Sequence, residues 1–109
     1  MKTYIRCENG TLTVNFRGEL DQHCARELAR QINAAIDQYL PGECVLDLAG
    51  LKFMDSSGVA VILRTCRHMG EIGGRVRITN PGSQPARVIN ASGLKRIVSV
   101  SDEVKEARV

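Results

Sequence analysis

Hydrophobic positions in this chain switch several times between a spacing of two and a spacing of three to four. Leu12, Val14 and Phe16 alternate with Thr11, Thr13, Asn15 and Arg17, the period of a half-buried strand whose side chains point to opposite faces in turn. Residues 4–7 read as a short strand before it, with Asn9-Gly10 between the two. That dipeptide suits a tight hairpin, since both central residues of the favoured turn need positive φ. The chain is therefore expected to open with two antiparallel strands. Gly18-Glu19-Leu20-Asp21 closes the second strand and starts a helix. From Gln22 to about Leu40, apolar Cys24, Ala25, Leu28, Ile32, Ala35, Ile36 and Tyr39 fall on one helical face, with Arg26, Glu27, Arg30, Asn33 and Asp37 opposite. Asp21 is the expected N-cap, its carboxylate accepting from amides that have no partner within the helix, and Pro41-Gly42 ends the element.

Cys44-Val45-Leu46-Asp47-Leu48 is a short apolar run of the kind expected for a strand covered on both faces. After a turn, Asp55-Ser56-Ser57-Gly58 leads into a helix from about Ser57 to Met69. At about 100° per residue, Val59, Ile62, Leu63, Cys66 and Met69 share the face expected in the core. Val61 lies about 200° from Val59 and is expected to face outward. Gly70 and Gly73-Gly74 stop that helix and turn the chain into a strand at Val76-Arg77-Ile78. Pro81-Gly82-Ser83 caps a third helix carrying Val88 and Ile89, with Gly93 as its C-terminal stop. Ile97-Val98 is a candidate last strand, and Ser101-Asp102-Glu103 offers a cap and two acids to a brief closing helix. This alternation predicts an α/β fold. Its mixed sheet has four to five strands, an N-terminal antiparallel hairpin and then parallel strands joined by right-handed crossovers, flanked by helices.

A chain of 109 residues fits a single domain spanning 1–109. Trp is absent and Tyr and Phe are few, so the core is expected to be built from Val, Ile, Leu and Ala. The net charge of +3 is mild and the basic residues are scattered, which argues against a nucleic-acid partner. No apolar run is long enough to span a bilayer and no signal segment is seen, so a cytoplasmic protein without a membrane partner is expected. Cys7, Cys24, Cys44 and Cys66 form no Cys-x-x-Cys, and His23 and His68 make no metal-type spacing with them. Each cysteine sits in an apolar pattern and is read as a buried free thiol; no metal or other cofactor is expected.

Catalytic signatures are missing as well. The chain has no Gly-x-x-x-x-Gly-Lys loop, no Gly-x-Ser-x-Gly and no His-Glu-x-x-His. His23 and His68 are expected at the solvated surface, away from any nucleophile they could activate. These absences weaken an enzyme reading, and a protein that is not an enzyme is expected.

The segment that stands out is Leu51-Lys52-Phe53-Met54-Asp55-Ser56-Ser57-Gly58-Val59, which joins the central strand to the second helix. Asp, Ser and Gly are all favoured where helices begin, so the stretch fits a structural cap. The same chemistry suits a modifiable serine. A phosphate at this place would meet free amides, and would put roughly two negative charges beside Asp55 on a surface where a partner docks. An outward-facing Val61, one turn after Ser57, would extend that surface.

In order and spacing, several segments resemble the STAS domain, and within it the bacterial anti-sigma factor antagonists. They are Gly18-Glu19-Leu20-Asp21, Val45-Leu46-Asp47-Leu48, Phe53-Met54-Asp55-Ser56-Ser57-Gly58-Val59, Gly73-Gly74 and Ala91-Ser92-Gly93-Leu94 with Ile97. The resemblance covers nearly the whole chain. It implies a partner-switching cycle: the unphosphorylated antagonist binds an anti-sigma factor that is also a serine kinase, which frees a sigma factor. The kinase then phosphorylates the antagonist and releases it, and a separate serine phosphatase resets it. Carried over by position, the acceptor is Ser56, preceded by Asp55; Ser57 is helix-start structure, and Asp21 helps shape the kinase-binding surface. A monomer is expected. STAS domains also serve as scaffolds or regulatory subunits of transporters and stress-signalling complexes, and the intact Asp55-Ser56 in a domain read as standing alone favours the sigma-regulating branch.

Overall fold

The structure, a computed structural model, describes residues 1–101. Strands β1 (Lys2–Glu8) and β2 (Thr11–Leu20) form the hairpin, followed by helix α1 (Gln22–Tyr39), β3 (Glu43–Met54) and α2 (Ser56–Glu71). Strand β4 (Arg75–Thr79), helix α3 (Ser83–Ser92), a 3₁₀ turn at Leu94–Arg96 and strand β5 (Ser99–Ser101) complete it. The sheet order is β1-β2-β3-β4-β5, with β1 antiparallel to β2 and the remaining pairs parallel. Asn9 and Gly10 take φ of 51° and 79° between paired Glu8 and Thr11, which is the two-residue turn their side chains favour.

Each parallel crossover steps one strand in the same direction, so right-handed connections bring the helices to one face of the sheet. Leu12, Val14 and Phe16 of β2 and Cys44, Leu46 and Leu48 of β3 are buried there with Leu28, Ile32 and Ile36 of α1 and Ile62 and Met69 of α2. The opposite face carries Tyr4, Arg6, Thr13, Asn15, Asp47 and Arg77. The expectation that β3 is covered on both faces is thus only partly met. On the polar face Val45 is buried with register partners Thr13 and Arg77 beside it, while Asp47 is half-buried.

Strand β3 also runs six residues past its expected end at Leu48, through the expected turn to Met54, because β2 continues alongside it through two register shifts. Gly50 makes one of these possible: a Cβ there would stand 2.8 Å from the Phe16 carbonyl oxygen. Gly93 closes α3 in the left-handed conformation, as expected. The last strand lies at Ser99–Ser101 rather than at Ile97-Val98, since the 3₁₀ turn takes up the chain before it and buries Val98. The expected closing helix at Asp102-Glu103 lies outside the described residues.

The rotation of α2 differs from the expected one. Its buried residues are Gly58, Val61, Ile62, Thr65 and Met69, whereas Leu63 is 40% exposed and Val59 and Cys66 are half-buried. Val61, expected to face outward, is 3% exposed. The reason is that α1 packs along one flank of α2, so the covered arc is set by two neighbours and not by the sheet alone. His68 is likewise not free in solvent: its Nε2 stands 2.7 Å from Asp37 Oδ1, tying α2 to α1.

Candidate functional site

The site lies where β2 and β3 end side by side. Leu20 pairs with Met54 as the last residues of the two strands. The next residue in each chain segment is an aspartate with extended backbone that caps the following helix. Asp21 Oδ1 accepts from the His23 amide at 2.9 Å, and Asp55 Oδ1 accepts from the Ser57 amide at 2.8 Å. The Asp55 amide donates to the Leu20 carbonyl at 3.3 Å, which stitches the two strand ends together. Partial desolvation pushes the Asp21 carboxyl up, but the amides of His23 and Cys24 and the nearby His23 ring outweigh it and hold the group below the usual value.

Two further contacts fix the start of α2. Gly58 fits because a Cβ there would approach Met54 Cε to 2.9 Å and both Leu20 Cδ2 and Met54 Cβ to 3.1 Å. Gln84 of α3 clamps the backbone of Met54, accepting from its amide at 2.9 Å and donating to its carbonyl at 3.0 Å. Nothing in the sequence pattern singles out Gln84; its role appears only once α3 is laid across the end of β3.

Ser56, the first residue of α2, is exposed, and among the described residues its hydroxyl has no hydrogen-bond partner. It borders an open groove of about 460 Å³ between α2 and α3, lined with Asp55 by Val59, Arg87, Val88 and Ala91. Ser57 turns the other way. It lines a cavity of about 230 Å³ between α1 and α2, with Arg26 and Arg64 on its sides and Val61 among the lining residues. The structure therefore brings Asp21, Asp55, Ser56 and Ser57 to one edge of the molecule but withdraws Val61 beneath it. Val59 and Val88 supply the apolar surface beside Ser56 that Val61 was expected to supply. Neither His23 nor His68 lines the Ser56 groove, so no imidazole base stands ready to activate the hydroxyl.

Among the described residues no cluster of His, Cys, Asp and Glu could hold a metal ion, and no helix is long and apolar enough to cross a membrane. Burial pushes the Cys44 thiol up to about 12, which suits a small core residue and not a nucleophile.

Comparison with known proteins places the chain in a family. The family model for the STAS domain matches residues 3–107. The chain is 37% identical over 84 residues to the anti-sigma F factor antagonist of Lysinibacillus sphaericus, spanning 77% of this chain and 72% of that protein. It is 34% identical over 93 residues to the anti-sigma F factor antagonist of Paenibacillus polymyxa, spanning 85% and 80% respectively. The solved structure of the anti-sigma factor antagonist SpoIIAA in its unphosphorylated form superposes with a TM-score of 0.82 at 27% identity, covering 97% of this chain and 93% of that one. The Bacillus cell fate determinant SpoIIAA in its phosphorylated form gives a TM-score of 0.73 at 27% identity, covering 98% and 97%.

Proposed function

This chain belongs to the STAS domain family, and from that premise we propose that it is a cytoplasmic anti-sigma factor antagonist switched by phosphorylation of Ser56. In the unphosphorylated form it binds an anti-sigma factor that is also a serine kinase, and so frees the sigma factor. The kinase then uses ATP: the Ser56 oxygen bonds to the γ-phosphorus, the bond from that phosphorus to the ADP oxygen breaks, and the hydroxyl proton leaves to a base of the kinase. A serine phosphatase hydrolyses the ester and restores the binding form. The protein is the substrate in these steps and not the enzyme.

The observation that carries this reading is the setting of Ser56, exposed at the head of α2 above an apolar groove and without a base of its own. A neutral hydroxyl can be buried against a partner at small cost. A phosphate brings roughly two negative charges next to Asp55, which a packed interface cannot desolvate without a large penalty. Asp55 and Asp21 hold the heads of α2 and α1 in place and present acidic groups at the edge of the docking surface, while Ser57 serves the helix start.

Intact-mass spectrometry after incubation with ATP and the anti-sigma kinase, followed by peptide mapping, tests this. One added phosphate on Ser56 is the expected result. No phosphate, from a kinase shown to be active on another substrate, would replace the switch with a constitutive binding module.

A further inference from the structure

We infer that Arg87 is the internal partner of the phosphate in the phosphorylated form, latching α3 to the head of α2; this rests on the phosphorylation of Ser56 proposed above. Arg87 and Ser56 line one groove from different helices, α3 and α2. The charged side chains lining that groove are Asp55 and Arg87, and the Asp55 carboxylate already accepts from the Ser57 amide. Among the described residues the Arg87 guanidinium has no ion pair or hydrogen bond. It thus differs from Arg30 and Arg75, which pair with Glu27 and Glu43. Ser92, also at the groove, is occupied: its hydroxyl donates to the Ile89 carbonyl and accepts from the Leu94 amide.

The position of Arg87 is set by the clamp described above. Gln84 grips the backbone of Met54, two residues before Ser56, and Arg87 follows Gln84 by three residues on the same side of α3. The guanidinium is therefore carried on a helix anchored next to the modified residue. Arg26 and Arg64 are also unpaired among the described residues, but they line the opposite groove with Ser57. A free hydroxyl has no use for a cation, whereas a phosphate dianion offers Arg a two-pronged, charge-assisted pairing. Closing that pair would draw Arg87 across Val59 and Val88. Phosphorylation would then mask the apolar docking surface as well as charging it.

The test uses the full 109-residue chain with phosphoserine genetically encoded at position 56, so it does not depend on any kinase. Phosphorus NMR follows the second ionisation of the phosphate, which lies near pH 6 when the group is free in water. The expected result is a second pKa in the otherwise wild-type chain ~0.5 or more below that in the Arg87→Gln variant, with Arg87→Lys between them. The Arg87 Nε resonance should also move when phosphate is present. Equal phosphate pKa values in the wild-type and Arg87→Gln chains would overturn the latch. A kinase that leaves Ser56 unmodified would instead overturn the switch, so the two failures are separable. Arg87 is exposed, and the unphosphorylated variants should melt with the wild type.

Discussion

Asp21 and Asp55 occupy equivalent places on adjacent parallel strands, each one residue beyond the paired Leu20 and Met54 and each capping the next helix. Neighbouring strands lie ~4.8 Å apart, so the repeat sets two helix heads and two carboxylates along one narrow edge. The residue that follows each cap meets a different fate. Gln22 lines the α1–α2 cavity, while Ser56 borders the groove between α2 and α3.

The caps have measurable weight. Asp55→Ala should lower stability by about 1 kcal/mol in urea unfolding, and Asp55→Asn should retain most of it, because an amide oxygen can still accept from Ser57. Asp21 adds a pH dependence. Its carboxyl is held below the ordinary value of 3.8, so its stabilisation is present above that value and fades as pH falls through the depressed one. The gap in melting temperature between wild type and Asp21→Ala should therefore be full near neutrality and shrink below about pH 4. A gap unchanged at acid pH would show that Asp21 acts through something other than its charge.

Substitutions at Ser56 should separate hydroxyl from charge. Ser56→Ala keeps the neutral surface and should bind the anti-sigma factor while resisting release by ATP. Ser56→Asp should raise the Kd ~30-fold or more, equivalent to about 2 kcal/mol. Calorimetric titration of both variants checks this, and equal affinities would remove charge as the cause of release.

Val59 and Val61 should part company. Val61 is buried between α2 and its neighbours, so Val61→Glu should cost roughly 3 kcal/mol or more and reduce cooperative unfolding. Val59 lines the open groove, so Val59→Glu should leave folding intact and weaken partner binding. Circular dichroism melts read with binding assays distinguish the two, and a stable Val61→Glu would mean that α2 is rotated from the position described.

Cys44 predicts alkaline behaviour. Burial raises its thiol from 9.0 to about 12, so the folded state keeps the proton that the unfolded chain gives up. Its contribution to stability is complete below about pH 9 and is lost as pH rises toward the folded value. Relative to Cys44→Ala, the wild type should lose stability across that window, and native-state alkylation at neutral pH should spare Cys44. Rapid labelling of Cys44 in the folded protein would contradict its burial.

The hairpin, the Asp21 cap and the Gly93 stop were legible locally, because each depends on a residue type that acts on its own backbone or on amides a few positions away. The Asp55-Ser56-Ser57-Gly58 stretch was legible as a helix start, and the structure makes Asp55 its cap. The extension of β3 was not. Gly50 is a residue type favoured in turns, and only pairing with β2 shows that it serves a bulge. The rotation of α2 was equally hidden, since Val59, Val61, Ile62, Leu63, Cys66 and Met69 spread apolar surface over most of the helix and leave its phase open.

Local signals along the chain were enough for the alternation of strands and helices, the resemblance to the STAS family and the placing of Asp55-Ser56 at a helix start. These follow from short-range periodicity and from side chains that satisfy nearby backbone groups. It took the packed helices to show that Ser56 and Ser57 face different grooves, that Val61 is buried under α1 while Val59 is not, and that Gln84 and Arg87 of α3 attend the head of α2. Those relations join residues some thirty positions apart. They depend on which helix lies against which, a choice made by packing across the sheet and not by any local preference of the chain.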